Sequence, residues 1–285
     1  MTASAPAMRT TSVEGELWYL APGSTVLRRF TAPGESVNTG RYEPHVVPVR
    51  DARRCKGEFS VGVQGFELLE HPSAVGDFTD KTQIDSQYAA EVVALVKERL
   101  GADAVVPRGW ITRRAESPGA HGAQPQAALV HIDYGPEGAV SSAASAYAEV
   151  FPDGPPYRRA VATSVWRVFS PPPQDWPLAL CDFRSVDDTE GLANQLYFVD
   201  RVPEDPFGPV DGMTLVTSGS EFHFCEAHEW WYFPDMTRDE VLFFVFNDSD
   251  HSRAWRVPHT AFRDPTVGSG VPRHSIEFRS FAYFR

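Results

Sequence analysis

The sequence is poor in the features that would place it outside the cell or in a membrane. Three cysteines, Cys55, Cys181 and Cys225, cannot all pair and show no Cys-x-x-Cys spacing. That usage excludes a disulfide framework and suits a reducing compartment. No apolar run approaches the roughly 18 residues of a membrane span, and no leader-type apolar segment opens the chain. The expectation is a cytoplasmic protein. Positive charge is also short: 26 Lys and Arg stand against 38 Asp and Glu, a formal net charge of −12 with pI near 5.2. This balance argues against nucleic acid or an anionic membrane as partner. A Gly-rich phosphate loop, a Gly-x-Ser-x-Gly elbow and internal repeats are all missing, which removes most nucleotide-dependent and α/β-hydrolase readings.

What is present is a large apolar inventory, 42% of 285 residues, with 12% aromatic and seven tryptophans. Residues 1–12 are small and polar and read as a disordered tail. Residues 13–285 read as one domain, an N-terminal scaffold over 13–125 followed by a core over 126–285. One clear helix is predicted from about Asp85 to Leu100, with Ile84, Tyr88, Val92, Leu95, Val96 and Leu100 on one face and Gly101 as its stop. Short strand-like segments fill most of the rest, among them 16–20, 46–51, 59–63, 65–69, 104–106, 110–112, 160–169, 178–182, 195–199, 229–233, 241–246 and 275–284. A second short helix is predicted after Ser141. Residues 115–126 read as a flexible loop. Many short strands punctuated by Pro and Gly point to a jelly roll or barrel, mainly β with flanking helices and N-terminal strands.

The stretch that invites chemistry is Leu129-Val130-His131-Ile132-Asp133. On an extended strand His131 and Asp133 share a face, where an imidazole and a carboxylate can supply two ligands of a 2-His-1-carboxylate iron site. A plain His–Asp hydrogen bond explains the pair equally well. A third ligand would come from His223, His228, His251, His259 or His274, of which His259 has the best company: Arg273-x-Ser275 follows it by 14 residues, a guanidinium and a hydroxyl on one strand face suited to a dicarboxylate. Glu277 and Arg279 extend that face, which reads equally well as solvated surface. The pair Arg113-Arg114 reads as solvated surface, with a substrate-anion role as the alternative. For His228, the flanking Glu226 and Glu229 make an ion pair a sufficient explanation.

The order of motifs carries more than any one of them. His131-Ile132-Asp133, Trp166-Arg167, Asp175 through Asp182, His228 through Met236, His259 through Pro265 and Pro272 through Arg279 together resemble the hydroxylase/desaturase family that contains the cephamycin 7-methoxylation subunit and gibberellin-desaturase-like fungal proteins. The resemblance implies a double-stranded β-helix (jelly roll, cupin-like) and a non-haem Fe(II)/2-oxoglutarate-dependent dioxygenase using O2. It implies iron at His131, Asp133 and His259, and 2-oxoglutarate at Arg273 and Ser275. The implied reaction hydroxylates, desaturates or cyclises a small natural-product or amino-acid-like intermediate, with release of succinate and CO2. Trp166, Arg167, His228, Trp230 and Arg279 are the candidate substrate residues. Ser164-Val165-Trp166-Arg167-Val168 and Trp110 depart from the family pattern, so the substrate is not carried over. The alternative is a jelly-roll accessory subunit supporting a partner methyltransferase without redox activity of its own. A homodimer or a partner biosynthetic enzyme fits either reading.

Overall fold

In the computed structural model the described residues are 11–114, 124–268 and 270–285. Fifteen strands dominate. The N-terminal part contributes β1 (Ser12–Leu20), β2 (Leu27–Ala32), β3 (Glu35–Asn38), β4 (Tyr42–Asp51), β5 (Phe66–Glu70) and β6 (Ala104–Arg114). The remainder are β7 (His131–Ile132), β8 (Arg159–Val168), β9 (Leu178–Cys181), β10 (Leu192–Phe198), β11 (Leu215–Glu221), β12 (Trp230–Tyr232), β13 (Glu240–Asp248), β14 (His259–Ala261) and β15 (His274–Phe284). They form a ten-stranded sheet, β1-β4-β12-β9-β14-β7-β11-β10-β2-β3, and a five-stranded sheet, β5-β13-β8-β15-β6. The architecture is the expected jelly roll, with mainly antiparallel pairing.

The large sheet curls far enough that its edge strand returns to the segment leading into His131. Trp18 of β1 bridges Leu129, and the Val130 amide donates to the Trp18 carbonyl at 2.9 Å. The N-terminal strands are therefore built into the same sheets as the core strands. The expected tail, 1–12, falls mostly outside the described residues, as does most of the 115–126 loop; β1 already begins at Ser12.

The predicted helix is real but longer. Asp80 caps a short α1 (Lys81–Gln83) by accepting from the Thr82 and Gln83 amides, a π-turn spans Ile84–Tyr88, and α2 (Ala89–Leu100) ends where Gly101 takes φ 65°. Ile84, Tyr88, Val92 and Val96 are fully buried, and Tyr88 meets Phe278 of β15 edge-on at 5.9 Å. Burial of each such side chain is worth about 1.5–3 kcal/mol, enough to lock the helix onto the outer face of the small sheet. A second helix, α3 (Pro136–Val150), begins five residues earlier than its sequence signal, because Pro136 suits a first helical turn. One strand expectation fails. Residues 59–63 form a turn, in which the Ser60 carbonyl accepts from the amides of Val63, Gln64 and Gly65, and Gly65 takes φ 90°.

Candidate metal centre

Strand register alone brings the site together. His131 of β7 pairs directly with His259 of β14, so the two imidazoles leave the same face of the large sheet with ring centres 4.5 Å apart. Asp133, two residues beyond His131, joins them: its Oδ1 is 3.9 Å from His131 Nε2 and its Oδ2 is 4.0 Å from His259 Nε2. All three ligand atoms lie within 4.8 Å of one another. Each histidine is oriented by its own strand. His131 Nδ1 donates to the Leu129 carbonyl at 2.6 Å, and His259 Nδ1 donates to the Val257 carbonyl at 3.1 Å. A carbonyl can only accept, so both Nε2 lone pairs are left to face the site.

Burial sets the protonation states the site needs. Burial, with His131 beside it, lowers the His259 pKa to about 3, which keeps the ring neutral. Burial pushes the Asp133 carboxyl upward, but Arg279, His131 and Arg113 outweigh it and hold the group below the usual carboxylate range. The result is a neutral His259 imidazole beside a carboxylate, which with the Nε2 of His131 makes an iron-type donor set.

The small sheet supplies the opposite wall. On β15 the residues Ser275, Glu277 and Arg279 alternate inward, with Arg273 just ahead of the strand in the same period, while Phe278 on the other face meets Tyr88 of the π-turn. The polar face is thus the interior of the roll. Arg273 and Ser275 are each 1% exposed. Arg273 Nη1 donates to the Trp176 carbonyl at 2.7 Å and Nη2 donates to Gln126 Oε1, while its guanidinium sits 5.2 Å from the Trp166 ring centre. Among the described residues no carboxylate lies within ion-pair distance of Arg273. Burial, and then the Arg113 guanidinium, push its pKa down to about 9. Arg273 Nε and Ser275 Oγ are buried with no hydrogen-bond partner. A buried cation without an anion, next to an unpartnered hydroxyl, is the electrostatic complement of a ligand carboxylate. His131, His259, Arg273, Trp166 and Phe244 line one cavity.

The five candidate substrate residues separate. Trp166, opposite Glu277 on β8, faces the cavity. Arg167, one residue on, faces the other way and is fully buried: it donates to Tyr88 Oη at 3.3 Å, to the Arg238 carbonyl, and to His71 Nδ1 at 2.9 Å. The structure gives it a place in the helix–sheet core, away from the site. Arg279 does reach the site, but as a neighbour of the ligand: Nη2 lies 2.9 Å from Asp133 Oδ2 and Nε donates to Glu277 Oε1 at 2.8 Å. Trp230 pairs with Cys181, whereas Leu180 pairs with His259, so strand alternation puts Trp230 on the far face of the large sheet. There its Nε1 donates to Tyr19 Oη at 2.7 Å. His228 is on that far side too, 2.7 Å from Glu190 Oε2 and 3.1 Å from Tyr19 Oη. Its partner is Glu190, not Glu226 or Glu229, and Glu229 pairs instead with Arg50 at 3.2 Å.

Sequence reasoning undervalued Arg113 and missed Glu277 and Ser164 as interior residues. Arg113 pairs with Ser275 across β6 and β15 and lines the cavity. Ser164 stands opposite Arg279 with an unpartnered, fully buried Oγ, so the departure at Ser164-Val165-Trp166 falls on the site's own face. The signal was available in the period-two spacing of Arg273, Ser275, Glu277 and Arg279, which solvent exposure explained equally well.

Known proteins resemble this chain in sequence and fold. Residues 17–283 match the family described as the oxidoreductase/YMDC permease-like domain. No helix among the described residues is long and apolar enough to cross a membrane. The chain is 30% identical over 261 residues to the Fe(II)/2-oxoglutarate-dependent dioxygenase nvfI of Aspergillus novofumigatus, covering 88% of this chain and 87% of that one. It is 30% identical over 267 residues to the hydroxylase/desaturase efuI of Hormonema carpetanum, covering 86% and 85% respectively. The solved iron and alpha-ketoglutarate-dependent endoperoxidase NvfI superposes with a TM-score of 0.78 at 26% identity, covering 97% of this chain and 99% of that one. With the fold, the donor set and these relatives agreeing over nearly its whole length, the chain belongs to the family of Fe(II)/2-oxoglutarate-dependent oxygenases.

Proposed function

We propose that this chain is an Fe(II)/2-oxoglutarate-dependent dioxygenase that hydroxylates, desaturates or cyclises a small natural-product intermediate. The observation that carries the reading is the pairing of two Nε2-outward histidines and Asp133 with an arginine, Arg273, buried without a carboxylate partner. The residues present fit the absent groups. His131, His259 and Asp133 would hold the iron, and Arg273 with Ser275 would hold the distal carboxylate of 2-oxoglutarate, giving Arg273 Nε and Ser275 Oγ the partners they lack. Bound there, iron and 2-oxoglutarate supply dioxygen activation coupled to decarboxylation of the keto acid to succinate and CO2. The chain's own task is to orient and to exclude water. Trp166 and Phe244 wall the cavity, Phe244 lying 5.0 Å from the His259 ring, and Arg279 fixes the rotamer of Asp133.

Arg167 and Arg279 are both committed within the protein, so the amino-acid-like substrate, which needed one of them as a carboxylate clamp, loses its support. A neutral, natural-product-like substrate fits better, and relatives named hydroxylase/desaturase and endoperoxidase show how one frame serves several outcomes. The accessory-subunit alternative has no use for a buried guanidinium without a carboxylate partner beside three convergent candidate ligands. A reducing cytoplasm suits the three unpaired cysteines. A homodimer or a biosynthetic partner would find apolar residues at one end of the β10–β11 pair, where Phe198, Leu215 and Val216 are exposed; sedimentation of the pure protein decides between monomer and dimer.

The direct test is anaerobic addition of Fe(II) and 2-oxoglutarate to the metal-free protein. The weak visible absorption of a metal-chelated keto acid is expected, with succinate formed once air is admitted. Neither signal appearing at saturating concentrations would sink the reading.

A further inference from the structure

A second group of ligand-type side chains lies on the far side of the large sheet and takes no part in the site above. Glu190, Cys225 and His228 present a carboxylate oxygen, a thiol sulfur and an imidazole nitrogen all within 4.8 Å of one another. They come from two loops. Cys225 and His228 are three residues apart on one tight turn, closed by a hydrogen bond from the His228 amide to the Cys225 carbonyl at 3.2 Å. Glu190 arrives from the connection before β10, where Asp187 accepts from the Thr189 amide at 2.9 Å and the Glu190 amide donates back to the Asp187 carbonyl at 2.9 Å. Both loops are pinned independently of the cluster.

The histidine is set up as a ligand. Its side chain is 1% exposed and stacks on Tyr19, with ring centres 5.7 Å apart and planes 16° apart. Its Nδ1 lies 3.1 Å from Tyr19 Oη, an oxygen already held by Trp230 Nε1 at 2.7 Å. Nε2 donates to Glu190 Oε2 at 2.7 Å, because a carboxylate only accepts, and Nδ1 accepts from Tyr19 Oη; a cation between the two residues takes the place of the Nε2 proton, with Tyr19 Oη then accepting from Nδ1–H. Glu190 and Cys225 are only partly buried, which gives an ion a way in. A hydrogen-bonded His–Glu pair accounts for two members of the group. It does not account for a thiol converging on the same point at chelate spacing.

We infer that Glu190, Cys225 and His228 form a second divalent-cation site, distinct from the iron centre and suited to zinc. The donor chemistry decides the ion. Thiolate and imidazole with one carboxylate favour Zn2+ over Mg2+ or Ca2+, which take oxygen-only shells, and three protein ligands leave one tetrahedral position for water. A thiolate and a carboxylate together neutralise the ion. Its effect is to clamp the turn before β12 onto the connection before β10, on the opposite face of the sheet from His131 and His259.

Cobalt(II) tests this without any substrate. A Co2+ ion at His131, Asp133 and His259 has only nitrogen and oxygen ligands, whereas one at Cys225 gives sulfur-to-cobalt charge-transfer absorption in the near ultraviolet. Chelator-treated full-length protein titrated with Co2+ is expected to show that band, and added Zn2+ to abolish it. The band is expected to persist in His131→Ala, which keeps the result separate from the fate of the iron assignment. It is expected to vanish in Cys225→Ser, a small change at a partly exposed position that the fold tolerates, and to weaken in Glu190→Gln. Absence of the band in the wild type at saturating Co2+ would overturn the inference. So would its survival in Cys225→Ser, which would move the thiol to Cys55 or Cys181.

Discussion

Asp133 carries two duties at once. It is the one anionic member of the proposed ligand group and the counter-ion of Arg279, 2.9 Å away. Asp133→Ala is therefore expected to remain folded, bind little iron and lose 2-oxoglutarate turnover, measurable as metal content after reconstitution and as succinate formed; wild-type turnover in this variant would remove the iron assignment. Arg273→Ala separates cosubstrate from metal. Loss of a buried charge-assisted partner is typically worth roughly 2–5 kcal/mol, so the half-saturating 2-oxoglutarate concentration is expected to rise by about 30-fold or more, with iron content unchanged. An unaltered 2-oxoglutarate dependence would place the anchor elsewhere, Arg113 being the next guanidinium on the cavity wall.

At the scale of elements, adjacent residues of β8 divide between two tasks, and their variants should divide as well. Trp166 faces the cavity and Arg167 faces the helix, where Tyr88 and Phe78 lie under its guanidinium at 5.4 and 5.9 Å. Arg167→Met strands His71, Tyr88 and the Arg238 carbonyl, so a stability loss on the order of 3 kcal/mol is expected, read as a lower urea midpoint, with turnover per folded molecule preserved. Substrate-specific loss of activity at unchanged stability would return Arg167 to the site. The sequence shows such elements unevenly. Helix α2 was legible because its apolar residues repeat at helical spacing. Strand β7 is two residues long and owes its existence to pairing with β11 and β14, and the three-residue β14 owes its own to β7 and β9; no local propensity announces them. Strand β3, Glu35–Asn38, is polar but for Val37 and was not anticipated. The interior placement of Arg113 and Glu277 was hidden because a charged, alternating strand looks the same whether its polar face meets solvent or an active site. The partner of His228 was unreadable for another reason: Glu190 lies 38 residues away and only the fold brings it close.

For the molecule as a whole, the buried site makes stability depend on acidity. An unfolded histidine titrates near 6.5, whereas burial and His131 hold His259 at about 3. Between those values the unfolded chain takes up a proton that the folded chain refuses. Stability is complete above about pH 6.5 and falls as the pH drops toward 3, by a few kcal/mol from this group at the acid limit. Urea midpoints of metal-free protein measured across that range are expected to decline, and His259→Leu to flatten the decline. A decline of equal slope in the variant would assign the acid sensitivity to other groups. The negative net charge of the chain gives no such dependence by itself near neutrality.

The return of β1 to Leu129 also has a bearing on how the protein comes to exist. Strand β1 has one neighbour, β4, some thirty residues later in the chain, and another, the segment leading into His131, about 110 residues after Trp18. His259, which shares the metal face with His131, is synthesised last but for β15. Contacts of such long sequence separation close loops at an entropic cost before they return any stability, and chains rich in them fold slowly. The candidate metal group is thus assembled only after the chain has been made through His259 and β7 has met β14.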